Sequence, residues 1–413
     1  MRHVIIGGSI AGISAAKAIR GLDAGTEIIM ISEERTKMYY RPMIPLIIEK
    51  DEIDITFTED PLERYNIKAV YDKATDIDVK GKQVLLSSGE KLTFDKLLIA
   101  TGSSPVIPDI PGINGEGVFT LRTMDDALKI KRYSAGKKNA VVIGGGLVGI
   151  KAATALKHLG LNLTIIEQLS QILFQRLDKR GAQIISNVIK DAGICVITND
   201  SVSEAVLKDK ALNSVNLSSG ETIKTDIIII AAGSKPNLDS FKKSGIKTNR
   251  GIIINENLQT SIPDIYAAGD VVEYKDLITD MPSVSALWTN AQEMGSLAGK
   301  NMSGANIKYK GFLGVMNSTE IFGIPLISVG LIEPEGGDFD VIVDDSLESY
   351  RKLVFDGDVL VGAVFIGDVT NAGIYTNIIK NKIPAGRLKE EAIKGNLSYI
   401  NFIRTVPVQS LLA

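Results

Sequence analysis

Cysteine, histidine and tryptophan are nearly missing from this sequence: one cysteine, two histidines and one tryptophan among 413 residues. A lone Cys195 cannot close an internal disulfide or supply a CxxC pair, so disulfide redox chemistry within one chain is excluded and a reducing compartment fits. Two histidines leave little material for a metal centre, and no metal is expected. The 46 Lys+Arg and 49 Asp+Glu residues give a formal net charge of -3, too weak a field to gather nucleic acid or an anionic bilayer. No apolar run approaches the ~20 residues of a membrane span. The first strand-like run starts at His3, leaving no room for a signal peptide. These absences together predict a cytoplasmic protein without nucleic-acid or membrane partners.

What is present is ordinary globular material, 45% hydrophobic and 23% charged, enough for two or three domains with their own cores. A repeat organises it. Leu86-Ser87-Ser88-Gly89-Glu90 returns as Leu217-Ser218-Ser219-Gly220-Glu221, and in the same register Asp95 matches Asp226, Gly102 matches Gly233, and Pro105 matches Pro236. Upstream of each copy stands a hydrophobic run ending in a glycine-rich turn, Gly7-Gly8-Ser9-Ile10-Ala11-Gly12 and Gly144-Gly145-Gly146-Leu147-Val148-Gly149. Each copy reads strand, turn, helix, strand, with helices over 13–20 and 152–159 and second strands over 27–32 and 163–166. Alternation of this kind implies parallel sheets with right-handed crossovers.

The G-x-G-x-x-G turn has a physical purpose. Its first glycine permits the tight bend, the second lets a pyrophosphate approach the backbone, and the third allows close helix–strand packing. The phosphates then meet the open N–H groups and positive dipole end of the helix. Gly144, Gly146 and Gly149 satisfy the pattern, whereas the first copy has Gly7 and Gly12 with Ser9 at the second position. An acid follows each next strand, Glu33 and Glu167, placed to accept hydrogen bonds from an adenosine ribose. Gln168, Leu169 and Ser170 after Glu167 offer no cation for a 2′-phosphate, so NADH is favoured over NADPH, with Arg176 the nearest exception.

The stretch Thr260-Ser261-Ile262-Pro263-Asp264-Ile265-Tyr266-Ala267-Ala268-Gly269-Asp270 resembles the FAD signature of the pyridine-nucleotide oxidoreductase (glutathione-reductase-like) superfamily. Tyr40-Arg41-Pro42, Leu121-Arg122-Thr123-Met124-Asp125-Asp126-Ala127 and Leu287-Trp288-Thr289-Asn290-Ala291-Gln292-Glu293 extend the likeness, especially to NADH:rubredoxin reductases and the flavin-binding half of NAD(P)H nitrite reductases. The resemblance implies an α/β fold with two Rossmann-like dinucleotide-binding domains and a C-terminal α+β domain. The FAD domain would be discontinuous, over 1–111 and 237–310, with an inserted NAD domain over 112–236 and an interface domain over 311–413. It implies that Ala11, Glu33, Arg41, Arg122 and Asp270 touch FAD, with Ala74 contacting adenine through its backbone. Thr101, Gly102, Gly233 and Gly269 join the same cofactor-binding set. Trp288 reads equally as a core aromatic or a flavin neighbour, Tyr39 and Tyr40 as packing residues, and Cys195 as a buried small hydrophobe. Thr123 and Asp126 have capping-box spacing, and Asp356-Gly357 reads as a hairpin turn.

The implied activity is hydride transfer from NADH to flavin and electron transfer onward. Thiol-dependent members of the superfamily carry cysteine in the helix after the first acidic strand, and residues 36–50 have none. Electrons would then pass directly to an acceptor, a small carrier such as rubredoxin or ferredoxin. Lys151, where many relatives have glutamate, is the candidate catalytic residue, supplying positive charge near flavin N5 or standing on a helix surface. Six basic residues after position 371 (Lys380, Lys382, Arg387, Lys389, Lys394 and Arg404) against Glu390 and Glu391 could steer an acidic carrier. The alternatives are the flavin component of a nitrite reductase system and a flavin-bound NADH-sensing interaction protein, and a monomer and a homodimer both remain open.

Overall fold

The computed structural model describes residues 1–346, 349–398 and 401. Contacts divide the chain into two compact units: Met1–Val106 with Leu121–Lys131 and Gly233–Gly314, and Ile107–Thr120 with Arg132–Ala232 and the chain from Val315 onward. Residues 121–131, which the sequence reading assigns to the inserted stretch, thus pack with the first unit.

Each unit is centred on a five-stranded, all-parallel sheet. In the first, the strands run Ile67–Val70, Glu27–Ile31, Arg2–Ile6, Lys96–Ile99 and Ile265–Ala267 across the sheet. In the second the order is Ile194–Thr198, Asn162–Glu167, Asn139–Ile143, Ile227–Ile230 and Val118–Thr120. The first strand of each copy lies at the centre, and its β-branched run is buried on both faces, from Val4 to Ile6 and from Val141 to Ile143. That continuous burial is the mark of a parallel strand covered by helices on both sides. The helices Ile10–Leu22 and Leu147–His158 begin directly after Ser9 and Gly146, earlier than composition predicts, because the turn residues form the first helical turn themselves.

The repeated pentapeptide proves to be a turn. Gly89 and Gly220 adopt φ of +89° and +95°, a conformation open to glycine at little cost. Each N–H bonds back three residues, to Leu86 and Leu217 respectively, at 3.0 Å. Asp95 and Asp226 also share a role, accepting the N–H that starts the central strand, from Arg2 at 2.6 Å and Asn139 at 2.9 Å. The third repeated segment pairs with its own counterpart: Ser103–Pro105 runs antiparallel to Ser234–Pro236. The flanking bonds Val106 N–H to Gly233 O and Asn237 N–H to Gly102 O, both 3.0 Å, obey the same twofold relation.

Within the second unit, the C-terminal region is an antiparallel sheet in the order Met316–Ile321, Ile324–Gly330, Val359–Ile366, Tyr350–Asp356 and Phe339–Asp345, followed by helix Ala372–Asn381. Its hairpin turns at Gly357 and Asp358, closed by the pair Asp356 and Val359, one residue later than the sequence reading places it. Asp178 ties this sheet to the parallel-sheet half of the unit. It caps helix Lys179–Asp191 through Gly181 N–H at 3.2 Å, accepts a hydrogen bond from Tyr350 Oη, and lies 3.5 Å from Lys352 Nζ, itself buried and 2.5 Å from Glu333. Arg180 adds a bidentate pair with Asp345 at 2.7 and 3.0 Å.

Cys195 corrects an expectation. It is exposed, because strand Ile194–Thr198 is outermost in its sheet and the two-residue period turns Ile194 inward and Cys195 outward.

Candidate cofactor site

The glycine turn of the first unit is fixed by packing at two of its three positions. Gly7 has φ of +122°, and a Cβ there would lie 2.1 Å from Ala100 O; one on Gly12 would lie 2.0 Å from Gly7 O. Ser9, between them, has an extended backbone (φ -101°, ψ -170°) and makes no capping bond to the helix it precedes. The first N–H groups of that helix are therefore left for another acceptor. Ser9 Oγ accepts instead from Arg41 Nε at 3.0 Å. Arg41 also donates to Arg122 O at 3.1 Å and to the Glu34 carboxylate. Glu34 accepts from Tyr39 Oη at 2.5 Å, and Tyr39 Oη accepts from Met124 N–H at 3.2 Å. Burial drives the Tyr39 hydroxyl well above its ordinary pKa, the nearby Arg41 notwithstanding, so it remains a donor at working pH.

Of the two acids after the second strand, Glu33 is exposed and 4.0 Å from Lys73. Glu34 is the one lining the pocket with Gly8, Ser9 and Arg41. The sequence alone points to Glu33, gives Glu34 no role and reads Tyr39 as packing, whereas the Tyr39 hydroxyl bonds to Glu34 and Met124; the available signal is the doubled acid followed by a tyrosine–arginine pair.

The signature Gly269-Asp270 stands nearby. Asp270 accepts from Ser103 Oγ at 3.0 Å and pairs with Arg122 Nη2 at 3.2 Å. Arg122 is held by the capping box just after it: Asp126 accepts the N–H groups of Arg122 and Thr123 at 3.0 and 2.9 Å, while Thr123 Oγ1 accepts Asp126 N–H at 3.1 Å. Gly102 lies against the same guanidinium, where a Cβ would come within 3.2 Å of Nη2. Thr101 is tied to Asn237, whose side-chain amide donates to Thr101 O at 2.9 Å. Ala74 is buried in a separate three-stranded antiparallel sheet.

Small residues bring two helix starts to one end of this unit. A Cβ on Gly295 would fall 2.1 Å from Ala11 O, and one on Gly299 would fall 2.4 Å from Ala15 O. Equal steps along Ile10–Leu22 and Trp288–Met302 mean that the helices run in the same direction in backbone contact. Gly269, at φ +83°, wedges between Ala11 and Ala291. Trp288 is half-buried, 6.1 Å from the exposed Tyr40, which packs edge-on against Phe57 at 4.4 Å.

The second unit repeats the turn with a difference. Cβ atoms on Gly144 and Gly149 would strike Ala231 O at 2.4 Å and Gly144 O at 2.0 Å, but Gly146 has an ordinary φ of -78° and nothing within 4 Å. No internal contact requires glycine there; what it leaves is space for a ligand at the helix start. Glu167 accepts from Gly145 N–H at 2.7 Å and Leu169 N–H at 2.9 Å. Burial lowers the pKa of Arg176. Lys151, on the same helix as Gly149, donates from Nζ to Glu320 O at 2.5 Å. Gly233, at φ +100°, faces open space. Both turns therefore fit a dinucleotide phosphate, one through bare backbone and one with side chains added.

A family model described as pyridine nucleotide-disulphide oxidoreductase matches residues 1–295. The chain belongs to this family. A second model, the rubredoxin NAD+ reductase C-terminal domain, matches residues 316–383. The chain is 35% identical to the NADH oxidase of Methanocaldococcus jannaschii over 77% of its own length and 73% of that protein. It is 34% identical to the NADH-rubredoxin oxidoreductase of Clostridium acetobutylicum over 89% and 91% of the two chains. The crystal structure of the Clostridium enzyme superposes with a TM-score of 0.78 at 33% identity, covering 93% of this chain and 96% of the other. The Bacillus subtilis nitrite reductase [NAD(P)H] matches at 28% identity over 96% of this chain but 49% of its own length. As a family member the chain is an NAD(P)H-dependent FAD oxidoreductase, with a C-terminal domain of the kind found in reductases of electron carriers. Among the described residues no helix is long and apolar enough to cross a membrane, and no group of three or more His, Cys, Asp or Glu could hold a metal.

Proposed function

We propose that this protein takes hydride from NADH and delivers electrons to a small carrier protein of the rubredoxin or ferredoxin type. The observation that carries the reading is the rubredoxin-reductase C-terminal domain joined to the FAD family core in one chain. FAD, when bound, supplies the chemistry, accepting a hydride and releasing electrons onward. With no cysteine in residues 36–50, the path needs no thiol relay.

The residues divide the work. The turn Gly7 to Gly12, with Ser9 and Arg41, would hold the FAD pyrophosphate at the start of helix Ile10–Leu22, and Asp270, fixed by Arg122 and Ser103, would hold another polar part of the cofactor. Gly144, Gly146 and Gly149 cradle the NADH phosphates. Glu167, oriented by two backbone N–H groups, accepts the adenosine ribose hydroxyls and would repel a 2′-phosphate, which favours NADH over NADPH. Lys151 is the candidate source of positive charge for flavin reduction, and acting so requires it to give up its bond to Glu320. Stopped-flow reduction of Lys151→Ala tests this: an unchanged rate with NADH removes the role.

For the carrier, Lys382, Arg387 and Lys394 are exposed near the end of the described chain, whereas Lys389 is paired with Asp340; Arg404 lies outside the described residues. Turnover with rubredoxin should fall as salt rises. Steady-state NADH oxidation against rubredoxin, ferredoxin, dyes and oxygen tests the whole reading. A colourless protein that takes up no FAD, or one that reduces no carrier, overturns it. The second reading, the flavin component of a nitrite reductase system, is favoured by the Bacillus subtilis match and would appear as fast reduction only of a sirohaem-bearing partner.

A further inference from the structure

Of the side chains clustered around Ser9, Arg41 has a role implied by the family resemblance, whereas the contacts that Glu34 and Tyr39 make to it have none. Serine before a helix ordinarily turns its oxygen inward to accept the second or third N–H. Ser9 forgoes that capping bond and accepts from Arg41 instead, which leaves the helix N–H groups open and its own hydroxyl hydrogen unused by the Arg41 bond.

Arg41 is held from several sides. Of its five N–H donors, three are committed, to Ser9 Oγ, Arg122 O and Glu34. Glu34 is held in turn by Tyr39 Oη, and the Tyr39 ring lies under the guanidinium, 5.2 Å from ring centroid to Cζ. The Arg41 and Glu34 side chains are only 20% and 30% exposed, unlike a solvated surface pair of marginal worth. Glu34 cancels the net charge of Arg41, so its value to a phosphate cannot be long-range attraction. It must be geometry, a rigid fork held at one place.

We propose that Glu34 and Tyr39 are positioning residues: they lock the Arg41 guanidinium against Ser9, so that the Ser9 hydroxyl and the uncommitted Arg41 N–H groups grip the FAD pyrophosphate. This rests on the FAD reading above and deepens it. The serine standing where a glycine is usual then becomes a ligand that the arginine orients. The second unit has an open Gly146 at the matching position, so this clamp separates a cofactor that is retained from one that must come and go.

The test titrates FAD and riboflavin, which lacks the pyrophosphate, into flavin-stripped full-length protein by fluorescence quenching. Glu34→Ala should weaken FAD roughly tenfold and Tyr39→Phe about threefold, the effects of losing one charged and one neutral hydrogen bond. Riboflavin affinity should stay the same in both. Because Glu34 acts through Arg41, the double variant Glu34→Ala with Arg41→Ala should bind FAD no more weakly than Arg41→Ala alone. Equal losses for FAD and riboflavin, full additivity in the double variant, or FAD binding by Glu34→Ala at the wild-type level would each overturn the proposal. Should Glu34→Ala fail to fold, Tyr39→Phe and its cycle with Arg41→Ala give the same decision, since phenylalanine keeps the ring packing. A wild-type protein that binds no FAD refutes the underlying reading instead, so the two failures are distinguishable.

Discussion

The two parallel sheets share one strand order and one turn, yet their glycine-turn ends differ in construction. In the first unit the middle turn position is a serine pinned by an arginine, and the nearby acid is held by side chains, Tyr39 and Arg41. In the second it is a glycine facing empty space, and the acid is held by backbone alone, through Gly145 and Leu169 N–H. Since Ser9 and Gly146 both have ordinary extended backbone, conformation does not explain the difference. What separates the copies is how much of the cradle is side chain, and hence how firmly each would keep what it binds.

The comparison can be broken in several ways. The largest effect is expected from Gly149→Val, whose branched side chain would press on Gly144 O at an overpacking cost of about 1–3 kcal/mol. NADH-driven flavin reduction should vanish in stopped flow while the protein keeps its yellow colour; loss of colour as well would mean the units do not act separately. Next, Asp270→Ala removes the partner of Ser103 and Arg122, and FAD affinity should drop on the order of a hundredfold, as for truncation of a partly buried charged pair. NADH affinity measured by calorimetry should hold.

Gly146→Ala sharpens the contrast, because a methyl there meets nothing in the chain. Melting temperature and flavin content should be unchanged, with the KM for NADH rising about tenfold from lost phosphate approach; an unaltered KM would mean that nothing binds against this glycine. The smallest effect concerns pH. His3, in the central strand of the first unit, is pulled down from 6.5 to about 4, chiefly by burial, where the second unit has Ala140 in the equivalent place. The folded state resists protonation, so His3 contributes no penalty above pH 6.5 and stability is lost as pH falls from 6.5 through 4. His3→Gln should flatten that part of the stability curve, read from urea midpoints.

Much of the architecture was legible because its causes are local. β-Branched runs before glycine turns announce buried parallel strands, and the repeated Ser-Ser-Gly-Glu was visible because a left-handed glycine is needed in both hairpins. Thr123 and Asp126 could be read as a capping box for the same reason. Where two choices sat side by side, local rules had nothing to weigh. Glu33 and Glu34 both follow a strand that ends at Ile31, so no alternation remained to say which turns inward. Cys195 looked buried because its neighbours are apolar, but whether a strand is central or outermost depends on partners far along the chain. The packing of 121–131 with the first unit and the link from Asp178 to Tyr350 likewise join segments that no periodicity relates.

That link has a practical side. Asp178 begins a helix in the nucleotide-binding half and also receives Tyr350 and Lys352 from the C-terminal sheet, so one carboxylate serves two modules. Anyone grafting a relative's tail onto this body, to redirect it toward another electron carrier, would have to transplant position 178 and its helix cap along with the tail. Chimeras cut at the apparent boundary near residue 315 would leave the buried Asp178 carboxylate without the hydroxyl and the ammonium that Tyr350 and Lys352 bring to it.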